Sequence, residues 1–287
     1  MDLLKSQKRI IVKRIFILFS CLCTALVLNA QNGWEAGVWL GTTNYFGDLN
    51  TSYDLSRPGL SGGIIARYNF NNRIAIKFSG SYGSVSADDA ESSNTFERAR
   101  NLSFESPIFD ATAQFEFNFL PYIHGSKDYF FTPYLFAGFT GFYFNPKAEL
   151  DGVLYELREL GTEGQFKGEE YYTIQGGFAY GGGIKLDLSY EWSINIEIGA
   201  RYLYTDYLDD VSTTYPDRED LLRDRGEIAV ALSDRSVEID GLDGSTIGEP
   251  ETQRGNSNIN DSYIMLGVGI LYYFGDLKCP SPSNRPF

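Results

Sequence analysis

Apolar and polar residues alternate one by one along this chain, and the pattern returns in eight separate segments. A period of two marks a strand with two unlike faces, because successive side chains point to opposite sides. The clearest run starts at Trp192. Trp192, Ile194, Ile196, Ile198, Ala200, Tyr202 and Tyr204 share one face; Ser193, Asn195, Glu197, Gly199, Arg201 and Thr205 share the other, with Leu203 as the exception. Phe109, Ala111, Ala113, Phe115, Phe117 and Phe119 alternate with Asp110, Thr112, Gln114, Glu116 and Asn118 in the same way. So do Ile74, Ile76, Phe78 and Tyr82 with Lys77, Ser79, Ser81 and Gly83. Ile174, Phe178, Tyr180, Ile184, Leu186 and Leu188 alternate with Gln175, Gly177, Ala179, Gly181, Gly183 and Lys185.

The eight segments are 34–46, 59–70, 74–84, 106–119, 130–144, 172–188, 192–205 and 262–274. Residues 130–144 are aromatic on both faces, so their inward side stays open. The polar faces are poor solvent faces, since Gly and Ser dominate them and charges are isolated. Small residues with a few opposed charges suit the crowded interior of a small barrel. In lipid every backbone polar group must be satisfied within the protein, so a spanning sheet has to close. The expected fold is therefore an all-β, antiparallel transmembrane β-barrel of about eight strands. A soluble sandwich or lipocalin-like barrel is the weaker alternative.

The links between segments alternate in length. Asn71 and Asn72, residues 120–129, and Tyr190 with Glu191 form the short ends; links 47–58, 85–105, 145–171 and 206–261 are longer and more acidic. Outer-membrane barrels have short periplasmic turns and long outer loops, which places both termini in the periplasm. Aromatics close the apolar faces, with Trp34, Phe70, Phe119, Trp192 and Phe274 expected at one interface and Tyr45, Tyr82, Tyr202 and Tyr204 at the other.

An export signal is expected over residues 1–30. Lys5, Lys8, Arg9, Lys13 and Arg14 against Asp2 make this stretch +4, followed by the apolar run Ile15–Leu28 and small Ala30. That run is too short for a comfortable membrane helix. A retained anchor, or a lipoprotein modified at Cys21, is disfavoured. The barrel then covers residues 31–274, and 275–287, with three prolines, forms a periplasmic tail. With a total of −14, the chain after residue 30 carries −18. Such an acidic body argues against nucleic acid, which needs clustered Lys and Arg. Cys279 is alone in the mature chain, so no internal disulfide forms.

Little in the sequence points to catalysis or a cofactor. The one histidine, His124, lies in a short-side turn and reads as a plain turn residue. Lys77, Asp110, Glu116, Lys185, Glu197 and Arg201 face inward and are expected to pair as a structural ion network that plugs the barrel. A selective pore is the alternative. Asp206, Asp209 and Asp210, with Asp217, Glu219 and Asp220 beyond, form an acidic cluster that is a weak calcium candidate. A solvated acidic loop is the favoured reading. Gly181–Gly183 is no phosphate loop, because no Lys-Ser or Lys-Thr pair follows it.

Several stretches carry a family likeness: GTTNYFGDLN (41–50), NLSFESPIFDATAQFEFNFLPY (101–122), FTPYLFAGFTGFYFNPKAELDG (131–152), LGTEGQ (160–165), TDYLDDVSTTY (205–215), ALSDRS (231–236) and QRGN (253–256). Together they resemble the PorG-like outer-membrane barrels of the Bacteroidetes type IX secretion machinery. The resemblance implies a non-enzymatic role in protein transport, beside a periplasmic ring of a PorK-like lipoprotein and a PorN-like protein. The turns around Asn71, Asn72, His124, Tyr190 and Glu191 are then candidate partner contacts. A surface adhesin or structural barrel, acting through the long acidic loops, is the alternative.

Overall fold

A computed structural model describes residues 33–239 and 247–275, so the expected export signal and nearly all of the tail lie outside the described residues. The strands follow the alternation: β1 (Gly33–Phe46), β2 (Gly59–Asn69), β3 (Ile74–Asp88), β4 (Ser103–Asn118), β5 (Phe131–Phe144), the short hairpin β6 (Lys147–Leu150) and β7 (Val153–Glu156), then β8 (Ile174–Asp187), β9 (Trp192–Leu203) and β10 (Ser262–Tyr273). Each barrel strand pairs antiparallel with the next, and β10 pairs back onto β1 from Glu35↔Tyr273 to Phe46↔Ser262. The result is a closed eight-stranded barrel with no free edge in its wall.

Facing follows from the pleat. Val38, Leu40, Ile64, Phe115, Leu135, Phe139, Ile198 and Val268 stand exposed on the outer wall, forming a continuous apolar belt. The open strand 130–144 resolves through its neighbours, since Thr132, Tyr134, Phe136, Thr140, Phe142 and Phe144 are buried inside. Leu203, the exception in its strand, also points inward and is fully buried. Trp34, Phe119, Trp192 and Phe274 are exposed at the short-turn end, and Tyr82, Tyr202 and Tyr204 at the other. Tyr45 departs from the expected girdle. It is inward and buried, because its parity in β1 matches Glu35 and Thr43.

The interior divides in two along the barrel axis. The short-turn half holds charged side chains. The long-loop half is mainly apolar, with Ile108, Phe142, Phe144, Leu203, Tyr263 and Met265 packed against Val85, Phe104, Leu208, Val211 and Leu232 around the buried Asp110 and Arg201. Several of these come from the long links, so loops and barrel share one core.

The long links are ordered across their described residues. They carry short helices, α1 (Thr95–Arg100), α2 (Leu157–Leu160), α3 (Arg218–Arg225) and α4 (Glu227–Ser233). Two buried arginines tie them together. Arg100 pairs with Asp89 and donates to the carbonyls of Asp48 and Arg254, each at 2.7 Å. Arg254 stands 3.2 Å from Glu163 and donates to the carbonyls of Asp210 and Ser233. All four links thus meet in one cap over the barrel. Strands β3 and β4 run into this cap beyond the expected ends, pairing out to Asp88↔Ser103.

Trp39 points inward and lies across Gly267 and Gly269 of β10. A Cβ at Gly267 would fall 2.4 Å from the indole. Gly267→Val is expected to lower barrel stability by roughly 1–3 kcal/mol through overpacking. Gly80→Ala, whose added methyl would meet only Ile64 at 3.7 Å, is expected to leave stability unchanged or raised. Loss of the heat-modifiable folded band on gels, followed against temperature, measures both.

Candidate functional site

The charged half of the interior is built from strand positions whose parity points inward. Its centre is Arg67 of β2, buried between Glu35 of β1 at 2.9 Å and Glu116 of β4 at 2.8 Å. It also donates to Asn195 Oδ1 at 2.7 Å and sits 5.9 Å from the Tyr134 ring. Glu116 gathers three cations: Arg67, Lys185 at 2.6 Å and Lys77 at 3.8 Å. Lys77 pairs in turn with Glu197, which accepts from the Tyr134 hydroxyl. A buried charge costs several kcal/mol unless partners replace its water, so this mutual pairing is what makes the interior tolerable.

Of the six inward charges expected to pair, Lys77, Glu116, Lys185 and Glu197 meet in this cluster. Asp110 and Arg201 form a separate pair nearer the cap, 3.6 Å apart. Thr140 and Tyr263 donate to Asp110 there, at 2.6 and 2.7 Å. Sequence reasoning missed Arg67 and Glu35. The available signal was parity: both sit on the same face as the inward positions of β1 and β2, but apolar residues on both faces of those strands blur the alternation.

His124 needs correction as a plain turn residue. The 120–129 link folds back across the short-turn mouth, burying Tyr122 and His124. The imidazole stacks on Tyr273 at 4.1 Å, with Nε2 3.1 Å from Glu35 and Nδ1 3.0 Å from Asp187. Asp187 also accepts from the Tyr122 hydroxyl and the Gly125 amide. Burial by itself pushes the imidazole pKa down, but the two carboxylates outweigh it and raise it to about 9. With His124 charged, the lower cluster balances: Arg67, Lys77, Lys185 and His124 against Glu35, Glu116, Glu197 and Asp187. Among the candidate contact turns, Asn71 is also buried, its side chain accepting from the Arg73 and Ile74 amides. Burial withdraws Asn71 and His124 from direct contact, whereas Tyr190 and Glu191 are exposed and Asn72 half-buried.

The acidic cluster of the last long link splits: Asp217, Glu219 and Asp220 are exposed as a solvated loop would be, whereas its first three carboxylates are buried. Asp206, Asp209 and Asp210 lie beneath the cap. They also diverge. Asp209 accepts from Tyr45, whose hydroxyl reaches Asp261 at 3.1 Å. Asp210 turns toward Thr162, Tyr171 and Arg254. Among the described residues no group of three or more His, Cys, Asp or Glu side chains is arranged to hold a metal ion. Burial lifts the Asp206 carboxyl to about 8, with Asp48 and Glu163 adding repulsion and Ser212 offsetting part of it. Burial and neighbouring carboxylates hold Asp209 and Asp261 well above the ordinary range as well.

These arrangements have separable consequences. Arg67→Met leaves Glu35 and Glu116 short of a partner and is expected to cost on the order of 3–5 kcal/mol in unfolding stability. The raised His124 pKa means its contribution is complete below about pH 6.5 and disappears as pH rises through about 9. His124→Gln is therefore expected to flatten the fall in unfolding temperature between pH 7 and 10. Asp206 acts in the same direction over a lower pH window. Its proton is held in the fold to about pH 8 but lost near 3.8 when unfolded, so it lowers stability progressively across that window. Asp206→Asn is expected to raise the unfolding temperature at pH 8 and leave it unchanged at pH 3, read by the same thermal assay.

Solved structures resemble the barrel at low identity. Ail, the attachment invasion locus protein of Yersinia pestis, is 10% identical with a TM-score of 0.39, over 86% of this chain and 100% of that one. Neisserial surface protein A is 12% identical with a TM-score of 0.42, over 84% and 97%. The outer membrane protein OprG of Pseudomonas aeruginosa is 10% identical with a TM-score of 0.40, over 86% and 97%. These likenesses concern architecture alone. No curated protein matches the sequence. A family model described as "Domain of unknown function (DUF6089)" matches residues 13–226, a span that takes in seven of the eight barrel strands. With most of its length matched, the chain belongs to the DUF6089 family.

Proposed function

We propose that this chain is a non-enzymatic protein of the bacterial outer membrane, set with its short turns and termini in the periplasm. It serves the type IX secretion machinery in the manner of PorG, linking a ring of PorK-like lipoprotein and PorN-like protein to the membrane. The observation that carries this reading is a filled interior between two ordered ends. A barrel closed by ion pairs below and by an apolar core above passes nothing, so it acts through its rims. The ordered sequence stretches that resemble the PorG-like barrels select the periplasmic rim. There the 120–129 turn is anchored by His124, and Tyr190, packed on Gly125, and Glu191 face outward.

A second reading is an adhesin or structural barrel working through the cap. Its support is the buried arginine framework, which holds the long loops in one arrangement before any partner arrives. Recovery of partners from native membranes with the tagged full chain separates the two. The secretion reading expects a PorK-like lipoprotein to co-purify in mild detergent. Tyr190→Ala with Glu191→Lys should cut that recovery about tenfold, the scale of one lost contact worth ~1.4 kcal/mol. Recovery of the barrel alone, with crosslinking also negative, would move the working surface to the cap.

A further inference from the structure

The outer rim carries an apolar recess of about 650 Å³ between the wall of β8–β10 and the overhanging loops 47–58 and 206–261. Its depth comes from the sequence. On the outward face Ala200 stands between Tyr180 of β8 and Ile264 of β10, so a methyl group lies between two large side chains. Tyr53 and Leu55 from the first loop and Ile259 from the last form the other side. These three are 72%, 61% and 61% exposed, unusual values for apolar side chains on ordered loops.

The first loop is held in this posture. Asn50 donates to the carbonyls of Tyr45 and Asp54 at 2.7 and 2.8 Å and accepts from the Asp54 amide at 2.8 Å. Tyr53 adopts a φ of 57°, a left-handed conformation that is uncommon for a residue with a Cβ, and its ring packs 5.3 Å from Phe46. The loop therefore presents Tyr53 and Leu55 outward by construction.

We propose that this recess receives an acyl chain of an outer-leaflet lipid, so that the first and last loops extend the lipid contact above the rim of the barrel. The inference rests on the membrane placement given above. Continuity decides the occupant: Tyr180, Tyr202 and Ile264 belong at once to the recess and to the lipid-facing wall. An acyl chain reaching the rim meets unbroken apolar surface as it passes from wall to loops. Charge decides which part of the lipid is held. The recess also contains Asp48, Glu97 and Arg100, but Arg100 is already committed to Asp89. Among the described residues a phosphate headgroup thus finds no free cation there, and recognition falls to the chain.

Quenching by brominated lipid tests this. The full-length protein is reconstituted in phosphatidylcholine vesicles with brominated acyl chains, carrying Leu55→Trp or Ile259→Trp. The added emission is read as the difference from the parent. Ile198→Trp on the outer wall of β9 is the belt reference, and Phe166→Trp on the cap is the solvent reference. Leu55→Trp and Ile259→Trp should be quenched about as strongly as the belt reference. Ala200→Phe, which fills the recess, should lower quenching at Leu55→Trp about twofold, the sign that one site is shared. Quenching no stronger than at Phe166→Trp overturns the proposal while the belt reference upholds the membrane placement. An unquenched belt reference overturns both. Crosslinking of an unquenched Leu55 position to a second copy assigns the recess to protein and also overturns it.

Discussion

Arg67 is the side chain on which the rest of the interior depends. It is fully enclosed, and its planar guanidinium reaches two glutamates and an asparagine from three different strands. An ammonium in its place could not span them in the same fork. Once Arg67 is placed, Glu116 can hold Lys185 and Lys77, Lys77 can hold Glu197, and Glu35 can hold His124. The chain of contacts runs from the middle of the barrel to its short-turn mouth without an unpaired charge. Such a network selects one strand register, because a shift of any of these strands by one residue would send its own charge into lipid.

The other half of the molecule is governed by burial. The upper interior is mainly apolar and continuous with residues of the long links, so the loops are fastened to the barrel by the same core that closes it. Arg100 and Arg254 then fix the loops to one another through backbone carbonyls. The carboxylates beneath the cap are kept at a cost. Asp206 and its neighbours are held protonated by burial at a pH where a solvated aspartate would be ionised. Both ends thus lose stability as pH rises, the cap between about 4 and 8 and the histidine latch between about 6.5 and 9. At neutral pH the histidine latch is largely intact, whereas holding Asp206 protonated already costs stability.

For function, the two closures matter together. A barrel sealed below by ions and above by hydrocarbon offers ends and a wall. The short-turn end presents a rim braced from within; the long-loop end presents an ordered cap; the wall presents a belt with a recess at its upper margin. The family match places the chain among proteins that share a domain of unknown function and does not specify which of these surfaces works.

The strands were legible in the sequence because alternation is a local property. In a barrel wall each residue faces either lipid or interior, and the period of two records that choice directly. Closure followed for a similar reason, since eight such strands in lipid leave no edge unpaired. The short turns were legible through their length. What only the tertiary structure decided are the relations between distant residues. Arg67 meets Asn195 across 128 positions, and Tyr45 meets Asp209 across 164. His124 is a clamp because the 120–129 turn folds over the mouth, and Asp206, Asp209 and Asp210 are buried because four links converge. None of these facts leaves a periodic trace, since side chains meet around a ring in an order set by strand stagger. The sequence alone determined the two faces of most strands; the fold decided the facing of 130–144 and of Tyr45, and which partner each inward residue finds.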